Sequence, residues 1–150
     1  MRALVQRVSE GGVEIPSEQY SASIGKGMVI LLGIKSDDTT EDLIFVADKC
    51  SNLRIFEDEN GKMNLSVKDI DGEVLIISQF TLYGETARGN RPSFTEAARP
   101  EIAIPLYEKF IDRMKQNIGS EKIKTGIFGA MMNLKIFNYG PVTVLVESIK

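Results

Sequence analysis

Two runs that are largely apolar mark places along the chain where a β-strand is expected to be buried on both faces. One run covers residues 74–77, with the sequence Val-Leu-Ile-Ile, and the other covers residues 28–34. Side chains of a strand alternate between the two faces of its sheet, so an uninterrupted apolar run predicts that both faces are covered. Ser78, Gln79 and Thr81 follow the first run directly. We therefore expect a central strand that ends in hydrogen-bonding side chains.

Shorter segments, several of them alternating between polar and apolar residues, predict the remaining strands. The sequence Glu-Gly-Gly at residues 10–12 predicts a hairpin turn between strands at residues 2–8 and 13–15. Gly140-Pro141 predicts a turn or a bulge, because proline lacks the N–H that a central strand donates. The other predicted extended segments cover residues 20–23, 53–56, 122–125, 134–136 and 142–146.

Two segments show the apolar periodicity of a helix that packs one face on a sheet. The first begins after Thr39, which forms a capping-box pattern with Asp42, and it places Cys50 on its apolar face. The second begins at Pro100 and stops at Gly119. Many strands with two helices, and no repeat or linker in 150 residues, predict a single domain that contains both.

The composition removes several kinds of catalytic site. The chain contains no histidine and a single cysteine, Cys50, which we interpret as a small buried hydrophobic residue. Catalysis by a histidine base, metal binding by histidine, an intrachain disulfide and a cysteine-based zinc site are therefore excluded. An enzyme with this composition uses carboxylates, lysine, tyrosine, hydroxyl groups, the backbone or the substrate itself. We expect neither a metal nor a cofactor.

Charge and hydropathy indicate which partners and which compartment to expect. The net charge of −3 argues against a general nucleic-acid binder but leaves room for a local basic patch. No apolar stretch reaches the ~18 residues that a membrane span needs. The apolar run at the N-terminus is too short for a signal peptide. We expect a cytoplasmic protein without a membrane partner.

Three features predict where a ligand binds. The hydroxyls of Ser78 and Thr81 lie at the end of a central strand, where α/β proteins place ligand sites, although they can equally serve only to satisfy backbone groups there. Arg88 and Arg91 in the next loop are candidates to hold a phosphate, or else belong to a solvated loop. The small and apolar residues 126–132 form either a pocket wall or a buried connection.

Two motifs stand out, Ser-Gln-Phe-Thr-Leu at residues 78–82 and Asn-Tyr-Gly-Pro-Val-Thr at residues 138–143. In this order, and in a chain of this size, they resemble the D-aminoacyl-tRNA deacylases. The resemblance also covers residues 3–8, 31–34, 54–56, 61–65, 88–94 and 125–128. It implies one deacylase domain over residues 1–150, of class α/β. The implied fold is a mixed, strongly curved sheet with two main helices packed on one side.

The resemblance also implies an activity. Members of the D-aminoacyl-tRNA deacylase family are homodimers that hydrolyse the ester between a D-amino acid and tRNA, with each active site shared across the interface. Gly140 and Pro141 would form a cis pair that enters the partner subunit's pocket, and Arg7 would fix this pair. A related group that edits L-alanine has threonine before the proline, so Gly140 places the chain with the D-specific group. Glycyl-tRNA mischarged on tRNA-Ala is an expected second substrate. Tyr139 stands where many members carry an acidic residue.

The implied site leaves the mechanism open. The residues at the catalytic end would be Ser78, Gln79, Phe80 and Thr81, and those that line the pocket would be Phe128 and Met132. Either Thr81 is a nucleophile, or backbone N–H groups near Phe80 and Thr81 hold an oxyanion while a ribose hydroxyl of the tRNA assists water. Two other interpretations are a non-catalytic RNA-binding protein that uses Arg88 and Arg91, and an enzyme of the same fold that edits L- or achiral aminoacyl-tRNA.

Overall fold

The computed structural model of the protein describes residues 1–149. Over this range the chain forms eight strands, two α-helices and three short 3-10 turns. The strands are β1 Arg2–Ile15, β2 Tyr20–Ile24, β3 Gly27–Gly33, β4 Phe56–Glu57, β5 Met63–Leu65, β6 Glu73–Ser78, β7 Ile123–Thr125 and β8 Asn133–Glu147. The helices are α1 Thr40–Asn52 and α2 Pro100–Ile118, and the 3-10 turns are Pro16–Glu18, Phe80–Tyr83 and Ser120–Lys122.

Six of the strands form one mixed sheet in the order β2-β1-β3-β6-β7, with β8 paired to β1. β6 lies between β3 and β7 and runs parallel to both. β1 is antiparallel to β2, β3 and β8. Its residues 2–8 pair with β3 and its residues 11–15 pair with β2, so the long strand bends and the sheet curls. This confirms the single α/β domain with a mixed, strongly curved sheet.

Both helices pack on one face of the sheet, as predicted. The Thr39 hydroxyl accepts the Asp42 N–H at 3.3 Å, and the Asp42 carboxylate accepts the Thr39 N–H at 2.8 Å, which confirms the capping box at the start of α1. The helical residues buried in this core are Leu43, Val46, Ala47, Cys50, Ala103, Leu106, Tyr107, Phe110 and Met114. The predicted apolar faces of both helices, and the buried position of Cys50, are therefore confirmed.

A second core lies inside the curl of the sheet. Its buried residues are Val8, Val13, Ile15, Ile24, Val29, Leu75 and Ile77. Side chains such as Met132, Leu134 and Ile136 cover it instead of a helix. Val74 and Ile76 belong to the helix-side core, while their neighbours in the same strand belong to the second. β6 is therefore buried on both faces, as the apolar run predicts.

The predicted hairpin at residues 10–12 is wrong. β1 continues through this segment as Arg2–Ile15. Gly11 pairs with Ile24 of β2 on one side and with Ile136 of β8 on the other. Ladders on both sides satisfy the backbone groups of the glycines in an extended conformation. These partners are distant in sequence, so the local turn signal did not reveal them.

The predicted strand at residues 53–56 is largely wrong, because β4 contains just Phe56 and Glu57. A turn at Asn60 and Gly61 follows this short strand. The Asp58 carboxylate accepts the N–H groups of Asn60 and Lys62 at 2.8 and 3.0 Å, and the chain then returns as β5. The Asp58 carboxylate therefore closes this turn.

α2 is the longer of the two helices, with 19 residues. None of the helices in residues 1–149 is both long and apolar enough to cross a membrane. The same part of the chain contains no group of three acidic, cysteine or histidine side chains placed to hold a metal ion.

Candidate active site

A cavity of about 380 Å³ opens at the carboxyl end of β6. Ser78 and Gln79 at the strand end and Phe80 in the following turn contribute to its lining. Phe128 and Met132 line it as well. The structure therefore brings together the predicted catalytic end and the predicted pocket-lining residues. It also shows that the segment before β8 is a pocket wall and not merely a connection.

The end of β6 is shaped by its contact with β3. The Gln79 N–H donates to the Leu32 carbonyl oxygen at 2.7 Å, just beyond the pairing of Ser78 with the same residue. The chain then enters the second 3-10 turn. A Cβ atom on Gly33 would lie 3.0 Å from the Leu82 Cβ atom and 3.2 Å from the Gln79 carbonyl oxygen. Because Gly33 has no side chain, the turn packs directly on the end of β3.

This turn presents two backbone donors beside the cavity. Within residues 1–149 the N–H groups of Phe80 and Thr81 donate to no protein acceptor. The Gln79 side-chain amide donates to the Thr81 hydroxyl oxygen. In the described chain this amide is the hydroxyl's hydrogen-bond partner, and an amide N–H cannot remove a proton from it. The arrangement suits the binding of an oxyanion better than the activation of Thr81 as a nucleophile.

Arg2, at the start of β1, contacts both this 3-10 turn and Glu147 at the end of β8. Its Nη1 donates to the Leu82 carbonyl oxygen at 2.9 Å, and its guanidinium carbon lies 4.6 Å from the centre of the Tyr83 ring. Its Nε donates to the Glu147 carboxylate at 3.2 Å. This role was not predicted, since an arginine at the start of a strand carries no local signal of a distant contact.

Helix α2 supports the cavity wall through Tyr107. The ring of Phe128 lies 5.8 Å from the Tyr107 ring, centre to centre. The Tyr107 hydroxyl donates to the Ile76 carbonyl oxygen of β6 at 3.0 Å. Burial raises the pKa of Tyr107, so the hydroxyl stays protonated and keeps this hydrogen bond. Phe128 is therefore held against a side chain that is itself tied to the central strand.

Two aromatic rings stand at the rim of the cavity. Phe80 and Phe94 meet edge to face with their centres 5.2 Å apart. Their exposed fractions are 56% and 37%, which is high for phenylalanine. Phe94 lies in one of the segments that carry the family resemblance, but no sequence pattern predicted its contact with Phe80.

The basic loop begins next to this rim. Glu85 and Ser93 exchange backbone hydrogen bonds of 2.7 and 3.0 Å, which close the base of the loop. Arg88 and Arg91 lie on its exposed part. The structure thus places both predicted phosphate-binding residues on the surface near the cavity.

The Gly140-Pro141 pair lies inside β8 as a bulge and does not form a turn between two strands. Its peptide bond is cis. The pairing of β8 with β1 shifts register on both sides of Val8, so the segment around the pair leaves the regular ladder. Both residues are exposed.

Arg7 lies beneath this pair and is 5% exposed. Its Nε donates to the Tyr139 carbonyl oxygen and its Nη1 to the Ile55 carbonyl oxygen, each at 2.9 Å. Its guanidinium carbon lies 5.1 Å from the centre of the Tyr139 ring. Gly140 has a φ of +127°, and a Cβ atom there would lie 2.7 Å from the Arg7 Nη2. Arg7 therefore contacts the backbone directly before the Gly-Pro pair.

Within one chain, the Gly-Pro pair and the cavity lie at opposite ends of the sheet. Val8 pairs with Gly27 at the start of β3 and with Asn138 just before the Gly-Pro pair. Ser78 pairs with Leu32 near the other end of β3. At about 3.3 Å per residue, the strand from Gly27 to Leu32 separates them by about 17 Å. The predicted site residues therefore form two groups in one chain, one around the cavity and one around Arg7.

Comparison with known proteins identifies the family of this chain. The model of the family described as D-Tyr-tRNA(Tyr) deacylase matches residues 4–147. The chain belongs to this family. A family member from Thermotoga petrophila, named D-aminoacyl-tRNA deacylase, is 54% identical over 150 residues, covering 100% of this chain and 99% of the relative. The one from Flavobacterium psychrophilum is 50% identical over 148 residues, or 99% and 97% of the two chains.

Solved structures extend the family comparison to the fold. A protein named c-Myc DNA Unwinding Element Binding Protein superposes with a TM-score of 0.93 at 41% identity, covering 100% of both chains. A probable eukaryotic D-amino acid tRNA deacylase superposes with a TM-score of 0.84, covering 97% of this chain and 98% of the other. At 17% identity the second of these supports the fold alone.

Proposed function

We propose that this protein hydrolyses the ester bond of D-aminoacyl-tRNA, releasing the amino acid and the tRNA. Relatives that are half identical over almost the whole chain carry the name D-aminoacyl-tRNA deacylase. The single observation that carries the proposal is the cavity at the end of β6, where free backbone donors stand beside an apolar pocket. The reaction serves chiral proofreading in translation, and we place it in the cytoplasm, where aminoacyl-tRNA is used.

The active site is shared between two copies of the chain. The Gly-Pro pair is exposed and lies about 17 Å from the cavity of its own chain. In a two-fold dimer, a surface element of each copy can enter the site of the other. Gly140 and Pro141 of one copy then complete the cavity of its partner, and Arg7 holds them in place.

Chirality is selected by the Gly-Pro pair. Its carbonyl oxygens accept hydrogen bonds from the amino group of a D-amino acid. In an L-amino acid the side chain and this amino group exchange places, so binding brings a clash and an unpaired polar group, which together exclude a substrate strongly. Phe128 and Met132 line the space for the side chain of the accepted isomer.

The hydrolysis proceeds by attack of water on the ester carbonyl carbon. The carbonyl electron pair moves to the oxygen, and the N–H groups of Phe80 and Thr81 hold the oxyanion. The oxyanion then collapses, the bond to the ribose oxygen breaks, and this oxygen takes up the proton that the water releases. The neighbouring ribose hydroxyl of the tRNA positions the water. The Thr81 hydroxyl accepts from an amide and contacts no base within residues 1–149, which disfavours the alternative of a covalent intermediate.

The tRNA is held in part by Arg88 and Arg91. Both are exposed on the loop next to the cavity rim, where phosphates of the acceptor end come within reach. A glycyl group has no side chain for the Gly-Pro pair to reject, so glycyl-tRNA mischarged on tRNA-Ala is a second substrate in this proposal.

The proposal is tested by deacylation of D-tyrosyl-tRNA and L-tyrosyl-tRNA side by side, with a chelator present. We expect the D-ester to be hydrolysed at least about 100-fold faster, without an effect of the chelator. Equal hydrolysis of both esters would overturn the role of the Gly-Pro pair. Sedimentation of the same sample is expected to give the mass of a dimer, and a monomer with full activity would contradict the shared site.

A nucleic-acid-binding function is the second candidate, because one structural neighbour is named as a DNA-element-binding protein. It is favoured if the protein binds tRNA in a strongly salt-dependent manner but hydrolyses neither tyrosyl ester, nor glycyl- or alanyl-tRNA. Preferential hydrolysis of glycyl- or L-alanyl-tRNA over D-tyrosyl-tRNA would instead indicate editing of achiral or L-amino acids.

A further inference from the structure

The side chain of Asn138 spans the Gly-Pro segment. Its Oδ1 accepts the Val142 N–H at 3.2 Å, and its Nδ2 donates to the Thr143 hydroxyl oxygen at 2.9 Å. Asn138 precedes Gly140 and Pro141, while both of its partners follow them. One side chain thus joins the two ends of the bulge.

The bulge needs such a connection because the sheet does not hold it. In the pairing of β8 with β1, Val8 pairs with Asn138 and Gln6 pairs with Thr143. Arg7 alone therefore faces residues 139–142, which have no ladder partner in β1. A backbone segment without ladder partners depends on side chains for its position.

Two side chains supply this support, one at each end of the segment. Arg7 holds the incoming end through the Tyr139 carbonyl oxygen. Asn138 holds the outgoing end through the Val142 N–H. The Gln6 side-chain amide donates to the Thr143 hydroxyl oxygen at 3.3 Å, which ties the second contact of Asn138 back to β1.

We propose that Asn138 is a positioning residue that sets the chiral selectivity of the enzyme. The inference rests on the proposed role of the Gly-Pro pair. Without the Asn138 side chain, the Val142 N–H loses its acceptor and the outgoing end of the bulge is released. The carbonyl oxygens of Gly140 and Pro141 then no longer stay in one place, and an L-amino acid can be accommodated. The reacting end at Phe80 and Thr81 belongs to another part of the fold and keeps its geometry.

A positioning role and a purely structural role of Asn138 predict different effects on the hydrolysis of D- and L-esters. A loss of stability lowers the hydrolysis of D- and L-esters together. A released bulge raises the ratio of the L-rate to the D-rate, expressed as kcat/KM for each substrate. The ratio is therefore the decisive readout, with the thermal midpoint and the mass of the protein as controls.

The experiment compares Asn138→Leu, Asn138→Asp and Thr143→Val with the unmodified protein. Leucine has nearly the shape of asparagine without its polar atoms, and we expect the L-to-D ratio to rise about tenfold, the effect of losing about one hydrogen bond. Aspartate keeps an acceptor for the Val142 N–H, and the Thr143 hydroxyl can donate to its second oxygen, so this variant is expected to retain the normal ratio. Thr143→Val removes one of the two contacts and is expected to give an intermediate ratio.

Asn133→Leu is the matched control. Asn133 is exposed at the other end of β8 and makes none of these contacts, so the same substitution is expected to leave the ratio unchanged. A normal ratio in both Asn138→Leu and Thr143→Val overturns the proposal. If Asn138→Leu does not fold, Thr143→Val alone tests the proposal. A raised L-to-D ratio then supports the positioning role of Asn138, and a normal ratio overturns it. Equal hydrolysis of both isomers by the unmodified protein would instead overturn the proposed Gly-Pro role itself, which separates the two failures.

Discussion

At the scale of single residues, Arg7 is a buried charge whose ion pair with the half-exposed Glu57 carboxylate is long. Its guanidinium is held by two backbone carbonyl oxygens, and the Glu57 carboxylate lies 4.0 Å from Nη2. Burying a charge in this way costs stability unless the surrounding groups compensate for lost water. The contacts of Arg7 under Tyr139 and Gly140 supply this compensation, and they are the basis of the support proposed for the Gly-Pro pair.

Gly140→Ala is predicted to disturb this support. The new Cβ atom would lie 2.7 Å from Arg7 Nη2 and 3.0 Å from Val142 Cγ2, at a φ of +127° that alanine rarely adopts. We expect kcat/KM for D-tyrosyl-tRNA to fall at least about tenfold, and the free energy of unfolding to fall by about 1 kcal/mol or more. Deacylation assays and urea unfolding measure the two effects.

Gly61→Ala is the control for this substitution. Gly61 has a φ of +75°, but a Cβ atom there meets nothing within 4 Å. It is therefore expected to lose stability while deacylation stays normal. An equal loss of activity in both variants would mean that backbone strain, and not the contact with Arg7, explains the effect at Gly140.

Thr81→Ala is predicted to reduce activity much less than the loss of an oxyanion-hole donor would. The backbone N–H of residue 81 remains after the substitution, and we propose that this donor, not the hydroxyl, acts on the oxyanion. We expect turnover to fall less than about tenfold, whereas removal of an oxyanion-hole donor costs about 100-fold or more. Single-turnover deacylation of D-tyrosyl-tRNA measures the change, and near-total loss would instead favour Thr81 as the nucleophile.

At the scale of the elements, a polar contact joins the two helices on their outer side. Arg113 of α2 donates two hydrogen bonds of 2.8 Å to the Asp48 carboxylate of α1. Asn117 donates a third at 2.9 Å. The hydrogen bonds from Arg113 hold the pKa of Asp48 below its usual value. The helix pair that supports the cavity wall is thus sensitive to the charge of Asp48.

This contact predicts a small pH dependence of stability. Because the folded-state pKa of Asp48 is lowered, its contribution is present above the unfolded value of 3.8 and is lost as pH falls through the folded value. We expect the unmodified protein to lose about 0.5 kcal/mol more than Asp48→Asn between about pH 5 and about pH 2, since both side chains are partly exposed. Urea unfolding at several pH values measures the difference.

Asp112→Asn serves as the control for the pH series. Asp112 is exposed on α2 next to Arg113 in sequence but makes none of these hydrogen bonds. Its pH dependence should therefore run parallel to that of the unmodified protein. Parallel curves for Asp48→Asn as well would show that the contact between the helices contributes nothing measurable.

At the scale of the whole molecule, the long strands decide how the site is assembled. β1 and β8 carry the Gly-Pro pair and Arg7 to one end of the sheet, while β6 delivers the donors of the 3-10 turn to the other. In the proposed shared site, these two ends come from two different copies of the chain.

Mixing two defective variants tests this arrangement. Ser78→Trp fills the cavity but keeps the Gly-Pro pair, whereas Gly140→Ala damages the pair but keeps the cavity. If the site is shared, a mixed dimer contains one intact site, and random exchange in an equal mixture restores about a quarter of the normal activity. The measurement is D-tyrosyl-tRNA deacylation before and after subunit exchange. A mixture no more active than the sum of its components would contradict the shared site.

Several features of the fold followed from local sequence patterns. The apolar run at residues 74–77 predicted the doubly buried β6, and the capping box of Thr39 and Asp42 predicted the start of α1. These signals depend on residues that are close together in the sequence, so the tertiary structure does not override them. Local signals failed at residues 10–12, where pairing with β2 and β8 kept two glycines extended.

The candidate site also has features that the sequence predicts and features that it does not. From the residues alone it follows that histidine chemistry is absent, that Ser78, Gln79 and Thr81 follow a buried strand, and that the two motifs belong to one family. The folded chain sets the contacts of Arg2 and Asn138, the pairing of the rim phenylalanines, and the separation of the Gly-Pro pair from the cavity. Spacing along the chain fixes which groups are neighbours within an element. Only the register between strands that are distant in sequence fixes which end of the sheet each group reaches.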